Sequence, residues 1–188
     1  FDLISKNYPG HIMFTLEDEL EREMLWGDFL KAAIVALSRK YELRRGIKGV
    51  IEGTLPVGGL SSSAAVILTY LNAVCIANDI QITRPEIISN AIWAERNYIG
   101  VNVGKLDQSC EVYCRKNGLL FLDTLDDSNE IIPVSSNMKP FEIMIVFGGK
   151  ERQLAGSAYN TRVDECKAAA YALQALSLIH ISEPTRPY

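Results

Sequence analysis

Two glycines and three hydroxyls stand together at Pro56-Val57-Gly58-Gly59-Leu60-Ser61-Ser62-Ser63-Ala64, between an apolar run ending at Thr54 and a stretch of helical periodicity. Glycines let backbone amides approach an anion closely, and a helix that begins directly after them aims its free amides and positive dipole end at the same point. The arrangement suits a phosphate. Ser61, Ser62 and Ser63 could cap the helix, donate to phosphate oxygens, or ligate magnesium. No lysine sits in the stretch, so it is not the loop that ends in Gly-Lys-Ser/Thr. On spacing alone, an ordinary strand-to-helix turn with serine caps accounts for it equally well.

Transfer of a phosphoryl group also needs a cation to neutralise phosphate charge and a group that positions or deprotonates the attacking hydroxyl. Two carboxylates, Glu95 and Asp107, are placed for this in WAERNYIGVNVGKLDQS. Taken singly, Glu95 is an ordinary solvated glutamate on a helix and Asp107 an ordinary helix cap. Taken in the order loop, glutamate, aspartate, they suit a phosphotransfer site.

Periodicity supplies the elements that must hold these residues. Trp26, Phe29, Leu30, Ala33, Leu37 and Tyr41 give a core-packing helix over Met24 to Tyr41. Ile47 to Thr54 is a strand leading into the glycine loop. The next helix runs from about Ser61, as a serine cap, to about Asn78, with Leu68, Leu71 and Cys75 on one face. Thr83-Arg84-Pro85-Glu86 opens another, with threonine as cap, glutamate to reciprocate and proline in the first turn. It reaches about Tyr98, before Gly100, and so carries Glu95. A short helix from Asp107 to Lys116 stops at Asn117-Gly118. Strands follow at Leu119 to Leu122, Glu130 to Val134 and, after Pro140, Glu142 to Phe147; a last helix covers Ala158 to Leu176. The tail from Ser177 to Tyr188 breaks the helical pattern with Pro184 and Pro187. It resembles translated adapter read-through and is set aside as non-native.

The 188 residues are 48% hydrophobic and 22% charged, enough for one sizeable core and the beginning of a second. A net charge of −4 and a pI near 5.3 offer no broad basic surface, which argues against nucleic acid. No apolar run approaches the length of a membrane-spanning helix. Cys75, Cys110, Cys114 and Cys166 form no CxxC pair, and His11 and His180 are far from them, so the cysteines suit a reducing cytoplasm better than a zinc site.

Gly59-Leu60-Ser61-Ser62-Ser63-Ala64-Ala65, preceded by Pro56, resembles the second signature motif of the GHMP small-molecule kinases, the family of galactokinase, homoserine kinase and mevalonate kinase. Its serines after Gly-Leu are typical of the galactokinase branch. Glu95 before Tyr98-Ile99-Gly100-Val101, and Asp107 in Gly104-Lys105-Leu106-Asp107-Gln108, are similar to the same branch, as is LAGSAYNTRVDEC at Leu154 to Cys166. The resemblance implies an α+β GHMP kinase fold, with an ATP-binding domain over residues 1–138 and the start of a second α+β domain over 139–176. It implies ATP held by Pro56, Gly58, Gly59, Leu60, Ser61, Ser62, Ser63 and Ala64. Mg²⁺ would sit on Glu95 and a loop serine, Ser63 or Ser62, with Asp107 as base or electrostatic orienter. Gly104, Asp107 and Tyr159 would face a sugar, while Asn160, Arg162, Glu165 and Cys166 hold the last helix. The implied reaction is ATP-dependent phosphorylation of a monosaccharide at its anomeric hydroxyl, foremost D-galactose.

Departures from the branch carry information too. The family's first and third motifs are not in this sequence, so a fragment with little or no activity of its own is expected. Lys105 and Leu106 replace Ile-Met before Asp-Gln, and Ser109 stands where phenylalanine is common. Plant galacturonokinases are similar here, and Lys105 could pair with a uronate carboxylate. A non-catalytic sugar sensor on the same scaffold is the remaining alternative; it would be expected to lose part of the loop or of the acidic pair.

Overall fold

Asp28 fixes where the first helix begins. Its buried carboxylate accepts from the backbone N–H of Glu23 (3.0 Å) and of Met24 (2.7 Å), which ties residues 23–27 into a turn. Helix α1 (Asp28–Ser38) therefore starts four residues later than periodicity suggests and ends three residues earlier. Leu30, Ala33 and Leu37 of the expected stripe are buried, and so are Ala32, Ile34 and Ala36. The computed structural model describes residues 1–54, 60–135, 137–139, 141–146 and 158–180, with side chains to residue 175 in the last stretch.

A three-stranded sheet precedes and follows α1. Strand β1 (Asp2–Ser5) pairs antiparallel with β2 (His11–Met13) and parallel with β3 (Lys48–Ile51), in the order β2-β1-β3. Leu3 lies opposite Ile12 on one side and Gly49 on the other. Strands of three and four residues carry too few alternations for a period-two signal, so β1 and β2 are not legible in the sequence. Strand β3 is the centre of the run expected at Ile47 to Thr54.

Helix α2 (Ser62–Ala77) and helix α3 (Arg84–Trp93) pack on α1. Leu68, Leu71 and Cys75 are all buried, as the spacing predicts. The serine cap is not: Ser61 adopts the left-handed region (φ 55°) and its side chain makes no capping bond. Capping needs an extended backbone that turns the hydroxyl back over the first amides, and a left-handed residue does not provide it. Thr83 does, at ψ 159°, accepting from the Glu86 amide at 3.4 Å. Glu86 returns the bond, its carboxylate accepting from the Thr83 backbone N–H and also from the Lys40 ammonium at 3.1 Å.

The helix that begins at Arg84 widens into a π-helical turn, Ala94–Ile99, before Gly100 ends it at φ 81°. A π turn inserts an extra residue per ring and often marks a functional position. Helix α4 (Leu106–Tyr113) follows, three residues shorter at its end than expected. Asn117 in the left-handed region (φ 61°) then leads into a hairpin of β4 (Gly118–Leu122) and β5 (Asn129–Pro133), with Leu120 opposite Ile131.

The strand expected at Glu142 to Phe147 is not formed over its described residues, 142–146. Ile143 and Met144 are 81% and 84% exposed and no neighbouring strand pairs with them among the described residues; without a partner, an apolar run has no ladder to join. Contacts divide the chain into two units, Phe1–Arg152 and Gln153–Tyr188. In the second, α5 (Tyr159–His180) continues four residues past the expected end at Leu176. Mixed strands and helices make the architecture α+β. Among the described residues no helix is long and apolar enough to cross a membrane.

Candidate active site

The start of α2, the π turn and the start of α4 bring three separate stretches of sequence to one place. Ser63, in the first turn of α2, hydrogen-bonds through its hydroxyl to the carboxylate of Glu95. Glu95 is 2% exposed, which a solvated helix glutamate would not be. From the other side Gln108 Nε2, on α4, donates to Glu95 Oε2. Asp107 lies in the first turn of α4, exposed, close enough for its charge to act on Glu95. Ser63, Glu95 and Asp107 are thus brought together across 44 positions of sequence.

Burial pushes the Glu95 carboxyl above the ordinary glutamate range, since charge is costly away from water. The bonds from Ser63 and Gln108 oppose that shift, and the Asp107 charge adds to it. Glu111, one turn beyond Asp107 on α4 and exposed to solvent, is pushed up to about 7, by partial desolvation of its carboxyl first and then by Asp107 and Glu95. Two raised carboxyls, Glu95 and Glu111, beside the charge of Asp107 mark a site where a positive group is favoured. Among the described residues no three His, Cys, Asp or Glu side chains are grouped so as to hold a metal ion by themselves. A hydroxyl and one carboxylate are hard oxygen donors of the kind magnesium accepts alongside substrate phosphates.

Other expected residues fall out differently. Pro56, Gly58 and Gly59 lie outside the described residues. Leu60, Ser61 and Ser62 lead into α2, Ser62 exposed, and Ala64 is buried in its first turn. Gly104 has nothing within 4 Å of where a Cβ would stand, so local crowding does not demand a glycine. Lys105 Nζ donates to the Thr124 carbonyl at 2.9 Å and pairs with Asp127, both at the β4–β5 turn. Tyr159 opens α5 in the second unit and is 39% exposed. Gln108 and Glu111 carry no expected role, although Glu111 stands four residues after Asp107, a spacing that places both on one helix face. A cavity of about 460 Å³ opens elsewhere in the first unit, lined by His11, Met13, Glu23, Trp26 and Lys31 among others; it includes none of the site residues.

Residues 28–115 match the model of the GHMP kinases N terminal domain. The chain is 35% identical over 169 residues to the galacturonokinase of Arabidopsis thaliana, covering 88% of this chain and 40% of that protein. It is 33% identical over 184 residues to the galactokinase of Thermococcus kodakarensis, covering 97% and 51%. Its structure resembles the crystal structure of Lactococcus lactis galactokinase complexed with galactose, with a TM-score of 0.83 at 32% identity, over 93% of this chain and 46% of that one. The chain spans about half the length of the curated relatives it matches. The matched segment runs from α1 through α4 and includes Ser63, Glu95 and Asp107, and on these likenesses residues 28–115 carry the N-terminal domain of the GHMP kinases.

Proposed function

We propose that the protein carrying this chain transfers the γ-phosphoryl group of ATP to the anomeric hydroxyl of a monosaccharide, with D-galactose the foremost substrate. The observation that carries the reading is the burial of Glu95 against Ser63, with the exposed Asp107 beside them. Ser63 and Glu95 hold the magnesium ion, which when bound neutralises charge on the phosphates. Asp107, open to solvent, accepts or orients the sugar hydroxyl, and Gly104 leaves space beside it. The glycine loop with Ser61 and Ser62 cradles the phosphates, and Tyr159 contributes to the sugar site. Four unpaired cysteines fit a reducing cytoplasm.

Galacturonate is the second reading, favoured by the likeness to the Arabidopsis galacturonokinase and by Lys105 two residues before Asp107. The Lys105 ammonium is engaged by Thr124 and Asp127, which supports the neutral sugar. A sensor without turnover is disfavoured, because Ser63, Glu95 and Asp107 are all present and assembled. Phosphorylation of galactose and of galacturonate by the complete protein, measured side by side with ATP and Mg²⁺, tests the reading. Galactose turnover is expected; turnover of the uronate alone sinks the first choice, and binding of either sugar without turnover favours the sensor.

A further inference from the structure

Gln108 is 1% exposed and reaches across the fold to Glu95, thirteen positions away in sequence. A buried amide is costly unless its donors and acceptor are met. Its Nε2 is met by Glu95; its Oε1 is buried with no partner among the described residues. Turning the amide over would aim the Oε1 lone pairs at the carboxylate, which an ionised glutamate repels. The observed orientation gives Glu95 a donor, even though it leaves an acceptor unmet. A side chain kept only to fill space here would do as well with an apolar group of the same shape, which needs no partner. The same helix presents Asp107 one residue earlier, so the strut to Glu95 also sets the distance between the two functional carboxylates.

We propose that Gln108 is a positioning residue whose amide holds the Glu95 carboxylate in the orientation that, together with Ser63, receives the divalent cation accompanying ATP. The inference rests on the reading of Glu95 as a cation ligand. Gln108→Met keeps the length of the side chain and removes the donor; Gln108→Asn keeps the donor and shortens the reach by one methylene. Both variants, with Glu95→Gln beside them, are titrated with Mn²⁺ by electron paramagnetic resonance in the complete protein holding a non-transferable ATP analogue, and each is melted. Both Gln108 variants are expected to raise the half-saturating Mn²⁺ concentration about tenfold, the factor equivalent to about 1.4 kcal/mol, and to keep the parent's melting temperature within a few degrees. In turnover assays the Mg²⁺ dependence should shift by the same factor, with kcat at saturating Mg²⁺ changing less. Unchanged Mn²⁺ affinity in both Gln108 variants, while Glu95→Gln weakens it, overturns the proposal and leaves the role of Glu95 standing. Unchanged affinity in all three overturns both. Loss of cooperative melting in both Gln108 variants overturns it in favour of a purely structural role.

Discussion

Replacing Asp107 by asparagine in the complete protein separates chemistry from folding, because the side chain is exposed in the first turn of α4. A positioned base or orienting carboxylate is worth about 10²- to 10⁴-fold in rate. At about 1.36 kcal/mol per tenfold, that is about 2.7–5.4 kcal/mol of barrier. Two smaller effects act on stability and oppose one another. Losing an acidic group at a helix N-terminus costs about 0.3–1 kcal/mol. Against this, asparagine removes the charge that pushes Glu95 and Glu111 up, which relieves both. The net change is therefore under about 1 kcal/mol, and for a unit spanning Phe1–Arg152 this corresponds to about 3 °C or less in Tm. The assay pairs ATP-dependent sugar phosphorylation with nucleotide titration and thermal melting. Turnover should fall at least a hundredfold while nucleotide affinity and Tm hold. Undiminished turnover removes Asp107 from the chemistry, and a parallel loss of nucleotide binding refutes the separation of its role from the phosphate cradle.

Glu111→Gln should leave stability unchanged in acid and raise it once the pH exceeds the ordinary carboxyl value of 4.5. A carboxyl raised to about 7 contributes stability that is fully present below its ordinary value of 4.5 and is lost as pH rises through 7. Glutamine does not titrate, so the variant should melt with the parent at pH 4 and above it at pH 8. The gain is softened because part of the side chain meets water; equal melting at both pH values counts against the raised carboxyl. Tyr70→Phe should stabilise the fold: the hydroxyl is buried, its pKa is pushed up to about 12, and it has no partner among the described residues. Removing an unmet buried hydroxyl is worth about 1–3 kcal/mol, read as a higher denaturant midpoint with an unchanged slope, whereas a lower midpoint shows that the hydroxyl has a partner.

What was legible in the sequence was local. Leu68, Leu71 and Cys75 recur at helical spacing and all are buried; Thr83 and Pro85 mark a helix start; Asn117-Gly118 marks a turn, with Asn117 left-handed, although α4 has already ended at Tyr113. Each is decided by a few neighbouring residues. Ser61 misleads for the same reason: its residue type favours a cap, but the chain reaches it in a left-handed conformation that turns the hydroxyl away. The apolar run at 143–146 likewise signals a strand, yet a strand exists only where a second segment supplies its hydrogen bonds.

The sequence by itself determined the chemical inventory of the candidate site: a glycine loop, serines at a helix start, then Glu95 and Asp107 in an order similar to a known kinase branch. Only the tertiary structure decided which of these are under tension. Whether Glu95 is a solvated surface glutamate or a buried carboxylate depends on how α2, the π turn and α4 pack, and that packing brings Ser63 and Gln108 to it from either side. The engagement of Lys105 by the β4–β5 turn is a long-range fact of the same kind. Burial and hydrogen bonding across distant segments set the charge state and orientation of a side chain, and neither is encoded in the spacing of the residues that surround it.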